Sequence, residues 1–246
     1  MKSLTIKNKG TLSYASREAL NRLRINFDFC GDQYKKVMVT SSSPDEGKSF
    51  ISFHLWRVLA ESGRRVALVD ADLRRSVMRI QHQLSAGTDA KKALGLAHYL
   101  AGNAPLEDVL YESDIENGFM VPTFRTVANP VLLLQNPRFG EMMEKLGEQF
   151  DIILVDTPPL NSVADGLQVA SYCDGALLVV RGGVTPRRII STSMAQLKSI
   201  DCPLLGTVLN RVEMDKNPYY YKYSKYSYYN YYAPSREKQC NAAEEK

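Results

Sequence analysis

The segment from Val37 to Leu59 constrains this chain's fold more than any other. An apolar run, Val37 to Thr40, leads into Ser41-Ser42-Ser43-Pro44-Asp45-Glu46-Gly47-Lys48-Ser49. A helical pattern then sets Ile51, Leu55, Val58 and Leu59 on one face and closes near Gly63. The order reads as buried strand, tight loop, amphipathic helix. A helix amino terminus presents unpaired N–H groups and the positive end of a dipole, so such a loop suits an anion. Gly47, Lys48 and Ser49 match the last positions of GxxxxGK[ST], in which the lysine reaches the β- and γ-phosphate oxygens and the hydroxyl binds Mg²⁺. Ser42 stands where that pattern has its first glycine.

Four more apolar runs, Val66 to Val69, Ile152 to Val155, Ala176 to Val180 and Leu204 to Leu209, are separated by helical stretches. This alternation predicts an α/β fold: a P-loop NTPase with a doubly wound, mostly parallel sheet and helices on both faces. Two of the runs end in acid. Val69 is followed by Asp70-Ala71-Asp72-Leu73-Arg74, and Val155 by Asp156-Thr157-Pro158-Pro159. Ligands bind at the carboxyl ends of parallel strands, and an apolar strand ending in aspartate is the form of a Mg²⁺-holding element. Ser16 is expected to cap a helix running to about Phe29, with Ala19, Leu20, Leu23 and Phe27 as its apolar stripe. Residues 1–13 carry no expected element, and between Met78 and Pro130 only helices near Leu96 to Leu100 and Leu106 to Tyr111 are expected.

Nine of the 14 tyrosines are Tyr219, Tyr220, Tyr221, Tyr223, Tyr226, Tyr228, Tyr229, Tyr231 and Tyr232. Pro218 and Pro234 bracket this cluster, which has no aliphatic residue to build a core, so a disordered tyrosine-rich tail over 213–246 is expected beyond a domain at 1–212. From Lys216 to Arg236 the segment holds three lysines, one arginine and no acid. The net charge of +4 is too small to imply nucleic-acid binding, and none is expected. Cys30, Cys173, Cys202 and Cys240 lie far apart, as reduced thiols do. Without an apolar segment of membrane-spanning length or a secretory h-region, the expectation is a cytoplasmic protein.

These residues resemble the bacterial tyrosine kinases of capsule and exopolysaccharide synthesis, a branch of the deviant-Walker P-loop ATPases. SSSPDEGKS is similar to that family's Walker A loop, VALVDADLRR to its Walker A′ and DIILVDTPPL to its Walker B; the NPVLLL stretch, the GTVLNR strand end and the terminal tyrosine cluster extend the likeness. The resemblance implies ATP and Mg²⁺ as cofactors and autophosphorylation of the tyrosine cluster. It implies Lys48, Asp70, Asp72 and Arg74 as catalytic, with Asp70 taking the tyrosine proton. Ser43, Pro44, Asp45, Glu46, Gly47, Lys48, Ser49, Phe50, Asn210 and Arg211 would line the nucleotide, and Ser49, Asp72 and Asp156 would hold the metal. It also implies a separate transmembrane activator that recruits the protein to the inner membrane face, a cognate tyrosine phosphatase, and a homo-oligomer assembled through the helix in residues 1–35. Of the family's Glu-x-x-Arg-x-x-Arg assembly pattern Glu18 and Arg24 are present, but Asn21 replaces the middle arginine; Asp45 replaces a usual loop glycine. The competing reading is a partitioning or division-site ATPase switch of the same superfamily. Ser43, where such switches carry a signature lysine, speaks for the kinase.

Overall fold

The computed structural model describes residues 2–87 and 93–212, so the tyrosine cluster lies outside the described residues. The chain runs β1 (Lys2–Ile6), α1 (Tyr14–Asp28), β2 (Lys36–Ser41), α2 (Lys48–Glu61), β3 (Val66–Asp70), α3 (Met78–Gln81), β4 (Leu84–Ser85) and α4 (Leu96–Leu100). A 3₁₀ turn (Leu106–Asp108) leads into β5 (Tyr111–Ser113) and β6 (Gly118–Val121). Then come α5 (Pro130–Leu134), α6 (Pro137–Gln149), β7 (Ile152–Asp156), α7 (Asp165–Ala170), β8 (Gly175–Arg181), α8 (Arg187–Ser199) and β9 (Leu204–Asn210).

The strands form one sheet in the order β4-β1-β5-β6-β3-β7-β2-β8-β9. From β6 to β9 every neighbouring pair is parallel, while β5 runs antiparallel to β6 and β4 antiparallel to β1. The central strands β2, β3 and β7 are buried on both faces, which is why they read as unbroken apolar runs rather than alternating ones. One apolar cluster joins Val39, Leu68 and Leu154 to α1 and α2; another joins Val69, Val155 and Phe119 to α4 and α6. The register Val69↔Val155 and Asp70↔Asp156 brings the two acidic strand ends side by side.

Several local expectations are corrected. Residues 2–6 form a strand, with Leu4 and Ile6 buried and Lys2, Ser3 and Thr5 exposed. The α1 cap is Ser13, whose side chain accepts from Ser16 N–H, and Ala19 is exposed while Leu20 and Phe27 are buried. Leu106 to Tyr111 is a 3₁₀ turn followed by a strand start, not one helix. Helix α2 is buried almost all round, with Phe53, Leu55, Trp56 and Leu59 at 0% exposure, because the sheet covers one side and α1 and α3 the other. Its apolar residues thus serve two layers rather than one face.

Candidate active site

The loop between β2 and α2 is held in shape by its own side chains. Gly47 takes φ +92° and Asp45 φ +61°, both in the left-handed region. Asparagine and aspartate tolerate that region better than most residues, and Asp45 is exposed, so it replaces glycine without turning its carboxylate inward. The buried Glu46 carboxylate accepts from Ser43 N at 2.8 Å and from the Thr185 hydroxyl, tying the loop to the segment after β8. Asn210 at the end of β9 donates to the Glu46 carbonyl at 2.9 Å, and a Cβ on Gly47 would lie 2.2 Å from Asn210 Nδ2. Ser42 is fully buried. Its Oγ accepts from Ser193 Oγ at 2.9 Å and its carbonyl from Asn161 Nδ2 at 3.0 Å, so its side chain is fixed against α8. No side chain caps the first turn of α2, which leaves its N–H groups facing the loop for an anion.

Four charged groups meet below this loop. Lys48 Nζ lies 3.0 Å from Asp72 Oδ2, and both side chains are nearly buried. Asp156 accepts from Ser49 Oγ at 2.7 Å through one oxygen and from Ser52 Oγ at 2.9 Å through the other. Asp70 accepts from Ser76 Oγ through Oδ2, while its Oδ1 is buried without a partner. Burial pulls the Lys48 ammonium down, but Asp156 and Asp72 outweigh it and raise it above the ordinary lysine value. Burial raises Asp156, with Lys48, Ser49 and Ser52 opposing. Asp70 is pushed up to about 8, chiefly by burial and then by Asp156, with the Ser76 hydrogen bond opposing.

These residues fit a nucleotide phosphate with a hard divalent cation. The Ser49 hydroxyl with the Asp72 and Asp156 carboxylates forms an oxygen donor set in which a Mg²⁺ charge would relieve the buried, raised Asp156. Among the described residues no cluster of three or more His, Cys, Asp or Glu makes a ready-built metal cage. Mg²⁺ characteristically keeps waters and substrate phosphates in its shell rather than filling an all-protein cage.

The remaining expected residues are placed as follows. Pro44 and Phe50 are exposed on the loop and first turn of α2, and Arg211 is exposed with φ +53° after β9. Arg74 forms a two-pronged pair with Asp165 at 2.7 and 3.0 Å, the Asp165 side chain being 1% exposed. Arg24 pairs with Asp28 at 3.1 Å within α1, and Asp28 with Arg64 at 2.9 Å; Glu18 is half-buried on the same helix. Sequence reasoning missed Ser52, Ser76, Thr123 and Asp165. Only Ser52 left a signal, a hydroxyl inside an otherwise apolar helical stretch.

The CobQ/CobB/MinD/ParA nucleotide binding domain matches residues 37–225. The chain is 37% identical over 197 residues to the tyrosine-protein kinase CpsD of Streptococcus agalactiae, covering 80% of this chain and 84% of that protein. It is 36% identical over 204 residues to CpsD of Streptococcus pneumoniae serotype 4, covering 83% and 88%. Among solved structures, the kinase domain of the Escherichia coli tyrosine kinase ETK superposes with a TM-score of 0.72 at 29% identity, over 80% of this chain and 78% of that one. With the phosphate loop and both acidic strand ends assembled at one sheet edge, the chain belongs to the CobQ/CobB/MinD/ParA nucleotide-binding family and, within it, to the bacterial tyrosine-protein kinases.

Proposed function

We propose that this protein is an ATP-dependent tyrosine autokinase whose acceptors are Tyr219 to Tyr232, modified between subunits. The observation that carries the reading is Asp70: a buried carboxylate beside the phosphate loop, raised to about 8, with one oxygen unpartnered. A base poised near neutral pH is suited to take a phenolic proton as the new bond forms. In the proposed step Asp70 Oδ1 takes that proton while the tyrosine oxygen bonds to the γ-phosphorus. The bond from that phosphorus to the β–γ bridging oxygen breaks, and ADP leaves with its electron pair. Lys48 neutralises the β- and γ-phosphate oxygens, and Ser49, Asp72 and Asp156 hold Mg²⁺ directly or through water. When bound, Mg²⁺ supplies charge to the developing phosphate oxygens. Asn210 and Arg211 flank the adenine, and Arg74, held by Asp165, stabilises phosphoryl charge or contacts a neighbouring subunit.

On the family resemblance, the reading extends to a role in capsule or exopolysaccharide polymerisation and export, with a separate transmembrane activator recruiting the kinase to the inner membrane face and a phosphatase resetting it. No helix among the described residues is long and apolar enough to cross a membrane. Incubation with Mg²⁺ and ATP plus the activator's cytosolic segment, followed by phosphotyrosine mapping, tests the reading. Phosphate on Tyr219 to Tyr232 in the wild type and none in Lys48→Met is the expected result. ATP hydrolysis with no phosphotyrosine would instead support the nucleotide-switch reading.

A further inference from the structure

The strand order places the nucleotide elements on one flank of Asp70. The phosphate loop follows β2, Asp156 ends β7 and Asn210 ends β9, whereas β6 lies on the other side of β3. Beyond β6 the structure opens a groove of about 340 Å³, lined in part by two residues that hydrogen-bond Asp70. Ser76 and Thr123 form its floor, and both are bound to Asp70: Ser76 Oγ donates to the carboxylate and Thr123 Oγ1 to the backbone carbonyl at 2.7 Å. Arg79 joins the two walls through a 3.0 Å hydrogen bond to the Phe124 carbonyl. At the rim stand the exposed cations Arg79 and Arg125 and the apolar side chain of Ile80, 77% exposed, and no lining residue is acidic.

A cationic rim with one apolar side chain matches a phenyl phosphate better than a phenol. The guanidinium fork is suited to phosphate oxygens, and the aromatic ring finds an apolar wall. The segment from Lys216 to Arg236 is itself cationic when unmodified, so the rim repels it; each phosphate added reverses that sign locally. Tyrosines lie next to one another or two apart at 219–221, 221–223, 226–229 and 229–232. In an extended chain such neighbours are about 3.5–7 Å apart, the scale on which one enters toward Asp70 while the other reaches the rim. We infer that the groove edged by Arg79 and Arg125 is a phosphotyrosine subsite for this chain's own 219–232 segment, so that a tyrosine already phosphorylated steers its unmodified neighbour to Asp70. The inference rests on the acceptor reading above and adds an order to it: the first modification is slow and the next ones are faster.

The test uses the full chain carrying Lys48→Met, so that no transfer alters the sample. A fluorescent peptide of residues 219–232, unmodified or with one phosphotyrosine at Tyr228, is titrated by anisotropy at fixed salt. The phosphorylated peptide is expected to bind about tenfold more tightly. That advantage is lost in Arg79→Gln/Arg125→Gln, and reduced in Arg125→Gln alone, where the Arg79 hydrogen bond to Phe124 is kept, while the fluorescence of the buried Trp56 under urea reports an intact fold. The exposed pair Arg187→Gln/Arg188→Gln on α8 serves as the electrostatic control. Equal binding of the two peptides, a preference that survives removal of Arg79 and Arg125, or an equal loss in the α8 control would each overturn the subsite. Because binding is read without transfer, a missing kinase activity and a missing subsite give different results.

Discussion

Lowering the pH should weaken the domain through His54. This side chain lies on α2, 1% exposed, beside Phe50 and edge-on to Phe53, and its Nδ1 has no partner. Burial first, then the charges of Arg57 and His82, lower it from 6.5 to about 4. Between those values the unfolded chain binds a proton that the folded one refuses. The stabilising contribution is therefore complete above pH 6.5 and is lost as pH falls through 6.5 toward 4. Linkage over pH 7.5 to 5.0 gives a loss of about 2 kcal/mol from this group alone. Trp56 is the sole tryptophan and fully buried, with Nε1 donating to the Val66 carbonyl at 3.1 Å, so its fluorescence reports unfolding of α2 against β3. Urea titrations at the two pH values, wild type against His54→Phe, isolate the contribution. The wild type should lose about 2 kcal/mol more than the variant. The same loss in both would refute the assignment to His54.

Three substitutions probe the site itself. Gly47→Ala forces an alanine to φ +92° and puts its Cβ 2.2 Å from Asn210 Nδ2, so strain and a broken hydrogen bond to Glu46 should cost about 2 kcal/mol. Calorimetric titration should show at least about a tenfold loss of ATP affinity, and unchanged affinity would contradict the loop geometry. Ser52→Ala strips a donor from buried Asp156, costing about 1–3 kcal/mol in urea denaturation without nucleotide. Mg²⁺ with ADP should recover part of that loss, and no recovery would count against Asp156 at the metal. Arg74→Ala leaves Asp165 buried and unpaired; because Arg74 is 37% exposed and water screens it, the cost is held to about 3 kcal/mol or less. Adding Asp165→Asn should restore part of the stability in a double-mutant cycle, and purely additive losses would show no coupling.

The parts of this protein legible in its sequence are those whose signal is local. Val37 to Leu59 declares strand, loop and helix because backbone hydrogen bonding, the apolar run and the Gly47-Lys48-Ser49 chemistry all act within a few residues. The acids ending β3 and β7 were legible too, since a carboxylate closing a buried strand emerges at the ligand edge of a parallel sheet. Short elements were not. β1 is only five residues long, and its alternation of Leu4 and Ile6 with exposed neighbours gains meaning only beside β5. Nor could the sequence say that α2 is covered on both sides or that Ser42 turns toward α8, because those depend on which elements pack together. The partners of Asp70, Asp156 and Arg74 show the same division. The sequence by itself determined that the charged groups of a phosphate site exist and which strands end in them. Only tertiary structure decided that Ser52 holds Asp156 from 104 residues away, that Asp165 holds Arg74 across 91, and that Thr123 and Ser76 open a groove beside Asp70. Contacts between residues so far apart in sequence are set by sheet order and register, which no local pattern encodes.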